Sequence, residues 1–215
     1  MSEEKRGAGP EWLNLPNRIT LLRLLIAVLL FVMLSLQINI GEKSSKPVIL
    51  NLAAIIFVVC VATDWLDGYL ARRYGLVTAF GRIADPFVDK VVVVGTCIYL
   101  VNLAPTLIQP WFAVALAARE FLVTALRSFI EGQGIEFGAQ WAGKFKMVLQ
   151  SVTLPAVMIY QANFHGIPAD DAWASFAAPI HTVCWVLVAA TLITTLVSAW
   201  EYVRLAGLAL KQGDA

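Results

Sequence analysis

The sequence predicts an all-α membrane protein, a polytopic bundle of about six transmembrane helices preceded by a short N-terminal interfacial segment. Hydrophobic residues make up 59% of the 215 positions, and the mean hydropathy is +0.73. Ordinary soluble domains are only about half apolar. Several windows of about 20 largely apolar residues also follow one another along the chain, which is the length of a membrane-spanning helix. We expect residues 11–215 to form a single transmembrane domain.

The N-terminal region differs from the rest of the chain. Residues 1–10 are polar and predict a disordered cytoplasmic tail, and they lack the apolar core and cleavage site of a removable signal peptide. The following stretch, EWLNLPNRIT, combines Trp12 with Pro16 and the polar Asn17. This composition is typical of a segment at the membrane surface, ahead of the first span.

The apolar windows place the six predicted spans. They cover about Ile19–Ile40, Val48–Leu70, Ala84–Leu103, Trp111–Ile130, Ala142–Gln161 and Trp173–Leu208. Residues 73–83 are the predicted connection between the second and third spans. Pro86 marks the start of the third span, because proline is tolerated in the first turn of a helix. A longer helix with a kink at this proline is the alternative.

Lysine and arginine are unevenly distributed between the two predicted sides of the membrane. If the N-terminus is cytoplasmic, 14 of the 16 basic residues lie on the cytoplasmic side, and only Lys43 and Lys46 lie on the other. This distribution follows the positive-inside pattern. The net charge of +1 gives no indication of a nucleic-acid partner.

Four aspartates are concentrated in the segment that joins the second and third spans. Asp64 and Asp67 are three residues apart, and Asp85 and Asp89 are four apart, so that each pair lies on one helix face. Acids at this depth would repel one another unless a hard cation such as Mg²⁺ or Mn²⁺ were bound. The spacing therefore indicates a divalent-metal site. The alternative is a structural network in which the acids pair with Arg72, Arg73, Arg82 and Lys90.

Small and basic residues follow the first aspartate pair. Gly68 and Ala71 lie one turn apart and offer a smooth patch for a flat ring or a diphosphate, although close helix packing is the competing interpretation. Arg72 is close to the carboxylates, and its planar guanidinium suits phosphate oxygens.

A second group of charges lies in the fourth and fifth predicted spans. Arg119 and Arg127 are eight residues apart and share roughly one helix face, and Lys144 and Lys146 begin the fifth span. Cations that meet in one cavity would bind a phosphate. Anchoring to anionic lipid headgroups is the alternative for Arg127, Lys144 and Lys146. It fits Arg119 poorly, because this residue lies deep in an apolar run beside Glu120.

The aspartate segment also carries a family resemblance. The pattern Asp64-x-x-Asp67-Gly68-x-x-Ala71-Arg72, eight further residues, and Gly81-x-x-x-Asp85-x-x-x-Asp89 resembles the full signature of the CDP-alcohol phosphotransferases. Members of this family displace CMP from a CDP-linked lipid with the hydroxyl of a second alcohol. The resemblance thus implies a membrane enzyme with a metal-assisted mechanism, and a single catalytic domain over residues 11–215.

The resemblance implies a role for each matched residue. Asp64 and Asp85 would bridge two metal ions, Asp67 would complete one site and Asp89 the other, and Asp89 would also accept the proton of the attacking hydroxyl. The residues implied in binding CDP are Gly68, Ala71, Arg72 and Thr78, with Asn17 as a further candidate from the first span.

Further strings resemble bacterial members of the family that make phosphatidylglycerol phosphate and CMP from CDP-diacylglycerol and sn-glycerol 3-phosphate. These strings are NLPNRITLLR, TDWLDG, FGRIADP, AREFLVTALR and GKFKM, between about Leu13 and Gln150. Met147 departs from the usual G-K-x-K-T, which removes any hydroxyl role at that position. The implied acceptor-phosphate ligands are Arg119, Arg127, Lys144, Lys146 and Arg23. The resemblance also implies a homodimer in the bacterial inner membrane, and the distribution of basic residues predicts that the active site faces the cytoplasm.

Two alternatives remain at this point. Another acceptor, such as inositol phosphate, serine or phosphatidylglycerol, would use the same aspartate motif. A divalent-cation transporter would also need carboxylates, but Arg72, Arg73 and Arg82 beside them disfavour a cation pathway.

The remaining candidate ligands have simpler interpretations. The three cysteines, Cys60, Cys97 and Cys184, are scattered singly in apolar runs and are expected to be small buried side chains. His165 and His181 have no second ligand at a metal-binding spacing.

Overall fold

The fold is a bundle of long α-helices. A computed structural model describes residues 15–39, 46–74, 79–132, 141–168 and 170–213. These residues form six helices: α1 Leu15–Asn39, α2 Lys46–Tyr74, α3 Ala79–Leu103, α4 Pro110–Gly132, α5 Trp141–Asn163 and α6 Ala174–Gly213. The predicted all-α class is confirmed. The predicted tail, residues 1–10, lies outside the described residues.

Four of the described helices are long and apolar enough to cross a membrane. The segments are Thr20–Asn39 in α1, Pro47–Asp64 in α2, Pro86–Leu103 in α3 and Ala174–Leu208 in α6. The protein is therefore an integral membrane protein. The helices predicted as spans four and five are present as α4 and α5, but both carry charged residues within their apolar stretches. Their crossing of the membrane stays a prediction.

The helix ends around the aspartate motif differ from the prediction. α2 continues to Tyr74 rather than ending near Leu70, and α3 begins at Ala79 rather than Ala84. The predicted connection over residues 73–83 is therefore wrong, and the alternative of a longer helix containing Pro86 is the one observed. Loss of apolar character marks the end of the membrane-spanning part of a helix, not the end of the helix itself.

The first helix also begins earlier than predicted. α1 starts at Leu15, so Pro16 lies in its first turn, where a proline ring is readily accommodated. The part of the predicted interfacial segment from Leu15 onward therefore belongs to the same helix as the first span, which begins at Thr20, and its position at the membrane surface stays a prediction. Residues 11–14 lie outside the description.

The packing order brings α1 against α2 and α3, α2 against α5, and α6 against both α4 and α5. The core between them is apolar and includes Leu34, Phe57, Leu100 and Leu154, all fully buried. Large apolar side chains also cover the outside of the helices, as expected for surfaces that face lipid tails. Burial therefore separates packing residues from lipid-facing ones along each helix.

A glycine allows α1 to approach α3 closely. A Cβ added to Gly95 would lie 2.5 Å from Cζ of Phe31. The Phe31 ring in turn stacks on Tyr99, with ring centroids 5.8 Å apart. The lack of a side chain at Gly95 thus makes room for the ring that joins the two helices.

Two polar contacts show which residues of α2, α5 and α6 lie at the same level along the bundle axis. The amides of Asn51 and Asn163 exchange hydrogen bonds of 3.0 and 2.9 Å between α2 and α5. The hydroxyls of Thr153 and Thr191 lie 2.8 Å apart between α5 and α6. Both helix pairs are antiparallel. We call the end of the bundle that contains Asp64 and Asp89 the aspartate end, and the end that contains Asn51 and Asn163 the opposite end.

A short, partly buried turn, residues 104–109, joins α3 to α4 at the opposite end. Its backbone continues from α3, because the amide of Ala104 donates to the carbonyl of Leu100 at 2.8 Å. The amides of Leu107 and Ile108 then donate to the carbonyl of Ala104 at 3.0 and 2.9 Å. Ala104, Leu107 and Ile108 are at most 4% exposed, so this side of the turn is part of the core, whereas Pro105, Thr106 and Gln109 are exposed.

Candidate active site

The first charged group at the aspartate end joins α1 to α2. Nη1 of Arg23 donates a hydrogen bond to Oδ1 of Asp64. The Arg23 side chain is only 1% exposed, whereas 28% of the Asp64 side chain remains accessible. A buried guanidinium therefore neutralises an aspartate that keeps one open side.

Asp89 lies between this pair and a second group of charges. It is partly buried on α3 and interacts electrostatically with Asp64 and Arg23 on one side. It interacts with Glu120 and Lys146 on the other. The structure thus brings the last aspartate of the motif between charges of α1 and α2 and charges of α4 and α5.

The second group consists of Arg119, Glu120 and Lys146, which we call the Glu120 cluster. Nζ of Lys146 donates to Oε1 of Glu120, and Nη1 of Arg119 lies 3.4 Å from Oε2 of the same carboxylate. All three side chains are buried, with Lys146 only 2% exposed. The cluster holds two cations and one anion away from water, which is costly unless a further negative group is bound.

Helix α6 completes the surroundings of Arg119. Nη2 of Arg119 donates a 2.6 Å hydrogen bond to Oγ of Ser198, and the guanidinium carbon lies 5.8 Å from the centroid of the Tyr202 ring. Gly143 lies beside them, since a Cβ added there would be 3.6 Å from Nη2 of Arg119. These contacts hold the guanidinium in one orientation.

Sequence reasoning missed the contribution of α6. Ser198 and Tyr202 are far from the motif in sequence, and neither was a candidate. The usable signal is a buried polar stripe at helical spacing in an otherwise apolar helix, formed by Thr191, Thr195, Ser198 and Tyr202.

The other predicted phosphate ligands lie in more accessible positions. Nε of Arg127 is 3.8 Å from Oε1 of Glu131, and its side chain is 39% exposed. Lys144 is exposed, with Nζ 5.2 Å from the centroid of the Trp141 ring. Of the five predicted ligands, the structure brings Arg119 and Lys146 together, whereas Arg23 contacts Asp64.

Several predicted site residues cannot be compared with the structure. The side chains of Asn17, Asp67, Gly68, Ala71, Arg72 and Asp85, and the whole of Thr78, lie outside the described part of the chain. Among the side chains that are described, no three His, Cys, Asp or Glu residues form a possible metal site. Asp64 and Asp89 are the two described members of the predicted quartet, and their carboxylate oxygens are the donors that Mg²⁺ and Mn²⁺ prefer.

The cysteines are buried and unpaired, as predicted. The two histidines lie at the opposite end beside Tyr160, with ring centroids 6.3 Å away for His165 and 5.3 Å away for His181. They are remote from the aspartate end.

The chain belongs to the CDP-alcohol phosphatidyltransferase family, because the family model matches residues 13–209. The resemblance carried by the aspartate motif is thus confirmed. A CDP-diacylglycerol–glycerol-3-phosphate 3-phosphatidyltransferase of Bacillus subtilis is 37% identical over 196 residues, which cover 88% of this chain and 93% of the relative.

Further relatives carry names of the same kind. The enzyme of that name from Haemophilus influenzae is 32% identical over 158 residues, covering 73% of this chain and 81% of its own length. A probable phosphatidylglycerophosphate synthase of Mycobacterium tuberculosis is 31% identical over 190 residues, covering 88% of this chain and 80% of the relative.

Proposed function

We propose that this protein is a phosphatidyltransferase that converts CDP-diacylglycerol and sn-glycerol 3-phosphate into phosphatidylglycerol phosphate and CMP. Family membership supports the transfer chemistry, and the names of the relatives support the two substrates. The acceptor hydroxyl would attack the lipid-linked phosphorus. A new P–O bond would form there, and the bond from that phosphorus to CMP would break.

The observation that carries the choice of acceptor is the Glu120 cluster. Its two buried cations pair directly with one carboxylate, and Lys90 and Asp89 add one nearby charge of each sign, so the group keeps an excess positive charge in a largely apolar bundle. Nε of Arg119 is also buried and has no hydrogen-bond partner within the described residues. An acceptor that already carries a phosphate would supply the missing negative charge and accept such donors. Serine has a carboxylate but also an ammonium group, so it would bring no net negative charge.

Two divalent cations, Mg²⁺ or Mn²⁺, are proposed as cofactors held by Asp64, Asp67, Asp85 and Asp89. The described members fit this role, because both offer carboxylate oxygens, Asp64 keeps an accessible side, and the two interact electrostatically. When bound, such ions would neutralise the diphosphate and stabilise the departing phosphate.

The protein's own residues would then perform the remaining tasks. Asp89 would accept the proton of the attacking hydroxyl, because it lies between the aspartate side and the Glu120 cluster. Lys146 and Arg119 would hold the acceptor phosphate, with Arg127 and Lys144 attracting it from the surface. Binding of the CDP group is assigned to Gly68, Ala71, Arg72, Thr78 and Asn17.

The test is release of CMP from CDP-diacylglycerol by the purified protein in detergent. Glycerol 3-phosphate, inositol phosphate, serine and phosphatidylglycerol are supplied in turn, with Mg²⁺, with Mn²⁺ or with a chelator. We expect release with glycerol 3-phosphate and a divalent cation. Release with another alcohol but not with glycerol 3-phosphate would contradict the proposed acceptor.

Asp89→Asn separates a transferase from a divalent-cation transporter. A transferase predicts a loss of turnover of about 10²- to 10⁴-fold, with metal binding partly retained. The matched control is Asp170→Asn, an exposed carboxylate in the turn before α6, which should leave turnover unchanged. Full activity of Asp89→Asn would exclude Asp89 as the base.

We also propose that the protein is a homodimer in the bacterial inner membrane, with the aspartate end facing the cytoplasm. The distribution of basic residues supports this orientation. Labelling of a single cysteine placed at Asp170 in intact cells tests it, because that position should react with a reagent that cannot cross the inner membrane.

A further inference from the structure

Gln150 is a buried side chain whose hydrogen-bonding groups are unused. It is 2% exposed on α5, and neither Oε1 nor Nε2 has a hydrogen-bond partner within the described part of the chain. A buried amide without partners is destabilising, and most buried polar groups in proteins are paired. Such an amide therefore suits a ligand group that can accept a hydrogen bond from Nε2 and donate one to Oε1.

The position of Gln150 places it beside the candidate active site. It follows Lys146 by four residues, so the two side chains share a helix face, about 6 Å apart along the axis. This is comparable to the distance between the phosphate and a hydroxyl in a phosphorylated three-carbon alcohol. Gln150 lies one turn deeper in the bundle than the cation.

The pairing of α2 with α5 gives a second, independent measure of the position of Gln150 along the bundle axis. Asn51 and Asn163 are opposite each other, and the two helices are antiparallel. Asp64 follows Asn51 by 13 residues, and Gln150 precedes Asn163 by 13 residues. Equal rises of about 1.5 Å per residue therefore put Gln150 level with Asp64.

The chemistry of the amide selects the class of ligand group. Nε2 donates and Oε1 accepts, so both are satisfied by a hydroxyl, which can accept one hydrogen bond and donate another. A phosphate or an ester carbonyl oxygen only accepts, and would leave Oε1 without a donor.

We infer that Gln150 is a specificity-determining residue that binds the second hydroxyl of a phosphorylated polyol acceptor, next to the hydroxyl that attacks. The inference rests on the proposed function and deepens it. Lys146 would hold the phosphate of the acceptor, and Gln150 would recognise the hydroxyl on its middle carbon. The attacking hydroxyl would then be directed toward Asp89.

The test compares two acceptors, glycerol 3-phosphate and 3-hydroxypropyl phosphate, which lacks the middle hydroxyl. The wild-type protein should prefer glycerol 3-phosphate by about tenfold or more in kcat/KM, the size of effect expected for one well-formed hydrogen bond to a buried group. In Gln150→Met, which keeps the volume but removes the amide, the preference should disappear. The KM for CDP-diacylglycerol should not change.

Gln37→Met is the matched control. Gln37 is also a buried glutamine with an unpartnered Oε1, but it lies 14 residues beyond Arg23 on α1, toward the opposite end. This variant should keep the wild-type preference. An equal fall of kcat/KM for both acceptors in Gln150→Met would mean that the amide is structural or satisfied by water, and would overturn the inference.

If Gln150→Met does not fold, the comparison of the two acceptors with the wild-type protein still tests the inference. Turnover of both acceptors with the same kcat/KM would overturn the assignment of Gln150 and leave the proposed function intact. Absence of turnover with glycerol 3-phosphate, while another alcohol supports CMP release, would overturn the proposed function and this assignment together.

Discussion

The two buried charged groups at the aspartate end differ in their balance of charge. The Arg23–Asp64 pair has one cation and one anion, and its carboxylate is 28% exposed. The Glu120 cluster has two cations and one anion, and its three side chains are all buried. The first group is neutral with an open carboxylate, whereas the second is positive and closed.

This difference matches two different ligands. A partly exposed carboxylate suits a place where a metal ion binds, because its accessible side is open to a second positive partner. A buried excess of positive charge suits an anion, because the desolvation of the cations is offset only when negative charge arrives. The comparison therefore supports the proposal that the α1–α2 side binds the metal and the α4–α6 side binds the acceptor phosphate.

Glu120→Gln should have the largest effect on stability. It leaves Lys146 and Arg119 buried without their carboxylate, which is expected to cost about 3 kcal/mol in free energy of unfolding. Because the cations then lack an anion, inorganic phosphate should raise the Tm of the variant more than that of the wild type. The measurement is thermal unfolding in detergent with and without phosphate.

The control is Glu131→Gln. Glu131 is 53% exposed in its pair with Arg127, so its substitution should change the free energy of unfolding by less than about 0.5 kcal/mol. An equal phosphate effect in both variants would contradict the assignment of the cluster to an anion.

Lys146→Met should lower kcat/KM for glycerol 3-phosphate by about 100-fold, chiefly through KM, because a buried ammonium interacts strongly with a phosphate. Lys144→Met, two residues away and exposed, should have an effect of only a few-fold, because solvent screens its charge. Steady-state kinetics at several ionic strengths measure kcat/KM for the two variants. At high salt, only the effect of Lys144→Met should disappear. Equal losses in the two variants would remove the distinction between buried and surface cations.

Arg23→Met should be destabilising mainly when no metal is present. The expected cost is about 1 to 2 kcal/mol, less than for a fully buried pair, because Asp64 keeps part of its hydration. Unfolding in chelator and in Mg²⁺ provides the measurement, and Mg²⁺ should reduce the difference from wild type. A loss that is the same in both conditions would show that Arg23 and the metal do not share Asp64.

Ser198→Ala should have the smallest effect. It removes the 2.6 Å hydrogen bond to Arg119 but leaves the contact with Glu120, so the KM for glycerol 3-phosphate should rise about fivefold, equivalent to about 1 kcal/mol. The control, Thr182→Ala, removes a hydroxyl on the same helix that donates a hydrogen bond to the carbonyl of Ala178, one turn earlier. A larger rise in the control would exclude a role for Ser198 in holding Arg119.

The fold was largely predictable because apolar windows report directly on helices in a membrane. The helix ends near Tyr74 and Ala79 were not, because the apolar signal stops where the membrane core stops, although the backbone continues as helix. Arg119 and Lys146 could be found from sequence, since charges in apolar runs are conspicuous. Their meeting at one carboxylate depends on how α4 and α5 pack, which spacing along a single helix does not contain.

Gln150 and Ser198 could not be identified from the sequence, because their importance also depends on how the helices pack. Each reads in sequence as an ordinary polar residue in an apolar helix. Ser198 gains its role from an arginine 79 residues earlier in the chain. The role proposed for Gln150 comes from the lack of a hydrogen-bond partner among the described residues, which only the positions of neighbouring helices can reveal.

The turn at residues 104–109, which is anchored in the core on one side, has a mechanical consequence for the chemistry at the other end of α3 and α4. Asp89 lies 15 residues before the turn, which is about 22 Å along the helix. At that lever length, a change of only about 3° in the angle between the two helices would displace Asp89 relative to Arg119 by about 1 Å, enough to impair a reaction that depends on positioning. The tight packing of Ala104, Leu107 and Ile108 thus fixes the angle between α3 and α4, and with it the position of the proposed base relative to the acceptor site.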